Sequence, residues 1–382
     1  MRKKLALALA LVLIPSIAHA DAVPARFILT GSGFGHGVGL SQIGAKGLAL
    51  EGKSATDILN YYFPGTQITT TSINQDIRIN IAHQSTYQTA VGSNLQLYKG
   101  DLTVAPIAIP QGATLKFALV GKVISPTIVT KGAPTQILSA SMLFNLKWDG
   151  ILKMAGISLK YGSVALRVVS GKIEVTTTMK LDSEYIYGIS EMSSAWPTAA
   201  IQAQAIASRT YGLSRIATIR KDCDCNVYNT IYDQNYVGYS KESEATVGGL
   251  WRGAVDATAG MSITYNAAPI NVYFFSSSGG TTQRSEDVWG TAYPYLTNVA
   301  DPYSLDIVLN PSYSHWQRVL NQADLTAAFG LPDVATLVAD SRTVTNSVIS
   351  VTATSSTGVK STLPVGVFKT KLKVPASWFQ IN

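Results

Sequence analysis

The chain has 382 residues, 46% of them hydrophobic and 14% charged, with a formal net charge of +7. That length exceeds the usual single core, so two subdomains are expected. The positive surplus is mild and its lysines and arginines do not cluster, which argues for simple solubility and against nucleic acid as a partner.

Residues 1–20 read as a secretory signal peptide. Arg2, Lys3 and Lys4 precede an apolar run from Leu5 to Ile14, and Ala18-His19-Ala20 supplies a small-x-small cleavage site. Its removal takes away three cations and no acid, so the formal charge falls from +7 to +4. No cysteine near the cleavage point offers a lipid attachment site, and no later apolar stretch reaches the roughly 20 residues needed to span a bilayer. The expectation is an exported, soluble protein with no transmembrane segment.

Arg26 to Thr30 reads as a short strand. It runs into GSGFGHGVG at residues 31–39, where alternate glycines let the backbone turn sharply or approach a ligand closely. A helical pattern follows from Leu40 to Leu50 and presents Gln42. Ser54-x-x-Asp57 is a capping box that opens a second helix, ending at Tyr62 before Pro64-Gly65. The loop lacks the lysine and the spacing of a phosphate cradle. His36 is therefore either a ligand-facing imidazole or a brace bonded to a backbone carbonyl.

From about residue 73 to residue 180 the sequence changes to short runs of Val, Ile, Thr and Leu punctuated by Gly, Asn, Pro and Lys, which is the pattern of strands and turns. Nothing there gathers His, Cys or paired carboxylates, so the segment is expected to be a scaffold. His83 is read as a surface histidine.

Leu181 to Gly188 is expected to form a short helix leading into the loop of Glu191. Ile189, Met192, Ala195 and Trp196 surround this carboxyl with poor solvators of charge. A carboxyl desolvated in this way has a raised pKa and can serve as a general acid. Pro197 then opens an Ala-rich helix to Leu213, whose small side chains allow close packing. Within it Arg209 and Tyr211 are candidate donors to a ligand, unless Arg209 pairs with Glu191 in an architectural ion pair. Asp182 and Glu184, the nearest other carboxylates in sequence, are assigned to capping.

Cys223 and Cys225 are the only cysteines. Their i, i+2 spacing permits a short disulfide, two thiols or half of a zinc site, although no histidine lies between Arg215 and Gln234 to complete a ligand set. A helix is expected over Val247–Thr258. Two strands, Met261–Tyr265 and Ile270–Phe275, should follow about the turn at residues 266–269. The second runs into SSSGGTT, and Trp289 follows. Hydroxyls, backbone amides and an indole suit a sugar ring, so Ser277, Ser278 and Trp289 are candidate binding residues. A serine nucleophile is not supported, because the nucleophile-elbow pattern is absent.

Two stretches resemble the SpoIID/LytB domain family of bacterial cell-wall proteins. The first runs Tyr185 to Ile189, Glu191-Met192, Trp196-Pro197 and Ala203 to Tyr211. The second is the glycine-histidine block with Ser41 and Gln42, followed by Tyr61 to Gly65. Tyr273 to Gly280, Trp289-Gly290 and Tyr293 to Leu296 also match the family's wording. The resemblance implies that Glu191 is the catalytic glutamate and that His36, Ser41 and Gln42 line or buttress a substrate groove. It implies a peptidoglycan lytic transglycosylase that needs no metal or organic cofactor, or else a non-catalytic glycan-binding enhancer of a cell-wall amidase. The partners implied are peptidoglycan glycan strands and, in the second case, the amidase. Some family members hold zinc near the position of Cys223 and Cys225.

In that family the glycine-histidine block closes the domain, whereas here it opens the chain, which implies a circular permutation. Phe379 to Asn382 should then lie beside Arg26 to Thr30 in one sheet, and the His36 loop should face the cleft that holds Glu191. The expected fold is α+β, a helical catalytic core with a mixed sheet plus a β-rich subdomain, with the cleft between them. The expected segments are 21–72, the amino-terminal part of the core; 73–180, the β-rich subdomain; and 181–382, the catalytic core.

Overall fold

The computed structural model describes residues 23–382; the expected signal peptide at 1–20 lies outside the described residues. These residues divide into two compact units, one formed by Ser32–Trp316 and a smaller one by residues 23–31 with 317–382. The mixture is α+β.

In the smaller unit, strand Arg26–Ser32 lies between Trp316–Asn321 and Trp378–Ile381. Asn382 N donates to Ile28 O and Ile28 N to Asn382 O, at 2.8 and 3.4 Å. The chain's last residues are thus sheet neighbours of Arg26–Thr30, as the permuted order of the two signatures predicts. A second antiparallel sheet, Thr336–Arg342, Val348–Thr354 and Lys360–Pro364, belongs to the same unit. The region expected as one core from 181 to 382 therefore falls in both units.

In the larger unit the helices form where the local signals place them. Ser41 caps α1 (Gln42–Leu50) by accepting from Gly44 N, and Ser54 with Asp57 closes the capping box that opens α2 (Ala55–Tyr62). Helix α3 (Thr198–Arg215) begins just after Pro197, whose fixed φ suits that place. It is buried almost continuously from Ala200 to Gly212 and packs on α1, α2, α5 (Gly248–Ala257) and strand Met261–Tyr265. A surface helix would show one apolar stripe; this one buries small, apolar and hydrogen-bonded polar groups all round because other elements wrap it. Full burial of a single residue such as Ile206 contributes about 1.5–3 kcal/mol.

The β-rich region forms an eleven-stranded sheet, antiparallel except at one edge. At that edge Val227–Tyr228 runs parallel to Asp76–Ser85, which ties the segment after α3 to the sheet. Alternation along Thr114–Val120 and Val123–Val129 buries Leu115, Phe117, Ile124 and Ile128 in the same apolar cluster as α1, α2 and α3.

One strand expectation is corrected. Met261–Tyr265 pairs with Ala268–Pro269 and Gln67–Thr70, but the run expected at Ile270–Phe275 is a strand only at Phe274–Phe275 and pairs in parallel with Leu40–Ser41. The glycines make this possible: a Cβ on Gly39 would lie 2.3 Å from Tyr273 O, and one on Gly33 would lie 2.8 Å from the Ser278 carbonyl carbon. Both have positive φ, so any other residue would be strained as well as crowded.

Candidate active site

The pairing just described brings the glycine-histidine loop to the Glu191 loop, and between them lies a cavity of about 650 Å³. Its lining includes Phe34, His36, Gln42, Glu191, Tyr211, Arg215, Tyr232, Asp233, Tyr273 and Trp289. None of the lining residues comes from 73–180, so the cleft expected between the helical core and the β-rich subdomain lies instead within the core. The sheet acts as scaffold because its side chains fill the shared apolar cluster.

Glu191 sits in an irregular loop before α3. Burial pushes its pKa above the usual carboxyl range, and a backbone hydrogen bond from Asn235 opposes the rise. That bond runs from Asn235 N to Oε1 at 2.6 Å. Oε2 has no hydrogen-bond partner among the described residues, and no cation there pairs with this carboxyl. The loop is pinned by Gln42, whose Nε2 donates to Glu191 O at 3.0 Å and to Gln204 Oε1 at 3.2 Å. Residues from both signatures thus meet at the Glu191 loop.

A second carboxylate shares the cavity but is already committed. Asp233 receives both guanidinium arms of Arg220 at 2.7 Å, Tyr211 OH at 2.6 Å and Tyr228 N at 2.8 Å. Four donors saturate its oxygens, so it has no free lone pair with which to move a proton. Its anion in turn helps burial hold the Tyr211 phenol above its usual pKa. Asp233 carries no sequence signal that marks it out. Arg215 does: it lies one turn beyond Tyr211 on α3 and therefore shares its face, with its guanidinium 4.8 Å over the Tyr211 ring.

His36 packs among aromatics, with ring centroids 5.1 Å from Trp289, 5.6 Å from Phe275 and 6.1 Å from Tyr273. Its Nδ1 accepts from Val38 N at 3.1 Å, and Gln283 Nε2 donates to its carbonyl. It lines the cavity and braces the loop at once. Trp289 is 43% exposed, enough to offer an indole face.

Four expected site residues do not line the cavity. Arg209 is fully buried; its guanidinium pairs with Asp182, not Glu191, and also donates to Met261 O and Val255 O. Its place on the inner face of α3 makes it a tie between helix and strand. Asp182 is thereby the partner of Arg209 and of Gly260 N rather than a cap. Ser41 is spent on capping α1 and on Ser304. Ser278 donates to the buried Asp301 at 2.7 Å, and Ser277, also fully buried, exchanges backbone bonds with Phe34. Burial and these bonds keep the three hydroxyls out of the cavity lining.

Cys223 and Cys225 form a disulfide, and no group of three or more His, Cys, Asp or Glu able to hold a metal occurs among the described residues. A loop this short removes little chain entropy, about 1–2 kcal/mol. Denatured but unreduced protein should titrate no thiol, and a chelator should leave the melting temperature unchanged. A large chelator-induced drop would show that the two sulfurs bind metal.

A family model described as stage II sporulation protein, SpoIID, matches residues 169–265, which hold Glu191, α3, the disulfide and Asp233. The chain is 32% identical over 136 residues, 36% of its length, to an amidase enhancer of Bacillus subtilis, of which 17% is covered. It is 33% identical over 141 residues, 36% of its length, to an uncharacterized protein of Brachyspira hyodysenteriae, of which 37% is covered. Over 159 residues, 38% of its length, it is 29% identical to stage II sporulation protein D of Bacillus subtilis, of which 46% is covered. The chain thus spans less than half of each of these relatives. The segment that the family model matches is the one built around the Glu191 loop, and this match, with the relatives named amidase enhancer and stage II sporulation protein D, supports a likeness to the SpoIID/LytB family.

Proposed function

We propose that this protein is a lytic transglycosylase acting on the glycan backbone of peptidoglycan, between N-acetylmuramic acid and N-acetylglucosamine. One observation carries the reading: the cavity holds one uncommitted carboxyl, Glu191, biased toward its protonated form, while its neighbour Asp233 is saturated with donors. As acid, Glu191 protonates the glycosidic oxygen while the sugar gains oxocarbenium character. As the base so formed, it takes the proton from the C6 hydroxyl, which closes the 1,6-anhydro ring. A hydrolase would need a second working carboxylate roughly 5–9 Å away to serve a water or act as nucleophile. Ring closure needs none. The aromatic wall of His36, Tyr273 and Trp289 suits the apolar face of a pyranose.

The test is mass spectrometry of purified glycan strands after incubation, which should reveal anhydro-muramyl ends. Strands left intact where a known transglycosylase cuts them would overturn the reading. A second reading, a glycan-binding enhancer of a cell-wall amidase, is favoured by the likeness to the amidase enhancer. It predicts intact strands and a faster amidase in a mixed assay. The signal-like residues 1–20 support an activity outside the cytoplasm, in the wall or periplasm.

The rate should also report the acid. Since burial raises the Glu191 pKa, the protonated enzyme persists above the ordinary carboxyl range, and kcat/KM should fall as pH rises through that elevated value. A pH profile whose alkaline limb stays at an ordinary glutamate pKa would contradict a desolvated acid.

A further inference from the structure

The loop that carries Glu191 has no regular hydrogen-bonded form, so side chains from elsewhere set its path. Three of them grip consecutive carbonyls. Asn235 Nδ2 donates to Ser190 O at 2.8 Å, Gln42 Nε2 to Glu191 O at 3.0 Å and Lys241 Nζ to Met192 O at 2.9 Å. The third grip has no part in the chemistry described so far.

Lys241 belongs to the short helix α4 (Tyr239–Glu242) and is 2% exposed. Its ammonium also meets Glu244 Oε1 and Oε2, at 3.3 and 3.4 Å, and lies 5.7 Å from the Trp251 ring centroid. Glu244 in turn accepts from Ser194 Oγ at 2.6 Å. One buried cation therefore holds Met192 directly and Ser194 through its carboxylate. Burying an ammonium is costly, and desolvation draws its pKa down. An apolar side chain of similar volume would fill such a place at less cost, so packing alone does not account for the charge.

We propose that Lys241 is a positioning residue for Glu191. By fixing the peptides on the carboxyl-terminal side of the acid, it keeps Oε1 on Asn235 N and the carboxyl in its desolvated place at the cavity wall. Gln42 and Asn235 hold the near side of the same loop. Without Lys241, Met192 and Ser194 lose their anchors and the carboxyl gains water.

The inference rests on reading Glu191 as the acid, so its main test needs no turnover. The titration of the Glu191 carboxyl, followed by carbon NMR, is compared in wild type, Lys241→Met and Glu244→Ala. In folded Lys241→Met the Glu191 midpoint should fall measurably toward the ordinary glutamate value. Glu244→Ala should lower it by less, because Met192 O keeps its donor. On glycan strands, kcat should drop by on the order of a hundredfold with KM within about twofold of wild type. A folded Lys241→Met protein with an unchanged Glu191 midpoint overturns the proposal. Should that variant fail to fold, Glu244→Ala decides in the same way, since its side chain lies at the surface, 36% exposed. Shifted midpoints in a protein whose wild type cuts nothing would support the positioning role and refute the transglycosylase reading.

Discussion

Glu191→Gln should leave the fold intact and reduce formation of anhydro-muramyl ends by on the order of 10²–10⁴-fold. The amide keeps an oxygen to accept from Asn235 N, so the loop stays in place, but it has no acidic proton to give. The same substitution should change stability in a defined direction. The folded pKa of Glu191 lies above its unfolded value, so the folded state binds the proton more tightly. Stability is then lost as pH rises from the ordinary carboxyl range through the elevated pKa. Glu191→Gln removes that loss, and its melting temperature at neutral pH should equal or exceed that of wild type, with the advantage vanishing in acid. Near-wild-type cleavage by the variant would take Glu191 out of the reaction.

Arg209→Ala should be the most damaging single change to stability. It strands the Asp182 carboxylate and removes the donors to Met261 O and Val255 O from a fully buried position. Removing one partner of a buried, hydrogen-bonded ion pair costs about 3–5 kcal/mol, which for a unit of this size lowers the melting temperature by about 10 °C. Arg209→Lys should recover only part of this, because an ammonium cannot reproduce the fork that reaches Asp182 and two carbonyls together. A melting temperature within about 2 °C of wild type for Arg209→Ala would show that the pair adds nothing net. The contrast is diagnostic: Glu191→Gln removes activity and spares stability, whereas Arg209→Ala acts through the fold.

Much of this molecule is written locally. Ser54 and Asp57 specify a helix start because both hydrogen bonds close within four residues. Pro197 and the alanines after it specify α3, and the alternation over 114–129 specifies two strands of the sheet. The apolar sequence neighbours of Glu191 gave the expectation of a raised pKa, and burial in the folded loop is what raises it. The order of the two signatures pointed to the pairing of Trp378–Ile381 with Arg26–Ser32, because the two sides of a cut in a continuous stretch are expected to stay adjacent.

What the chain's own order left open is decided by contacts between residues far apart in it. Arg209 carries the same side chain whether it faces a ligand or a buried carboxylate; the packing of α3 against Met261–Tyr265 turned it inward to Asp182. Ser41, Ser277 and Ser278 read as ligand hydroxyls, but capping, backbone pairing with Phe34 and the bond to Asp301 hold them buried and out of the lining. Asp233 became a neighbour of the acid, and a saturated one, only through Arg220, Tyr211 and Tyr228 N. Residue type and short-range spacing determine which elements form and which carboxyl has apolar sequence neighbours. Which way a polar side chain points depends on which surface its element is pressed against, and that is settled by tertiary packing alone.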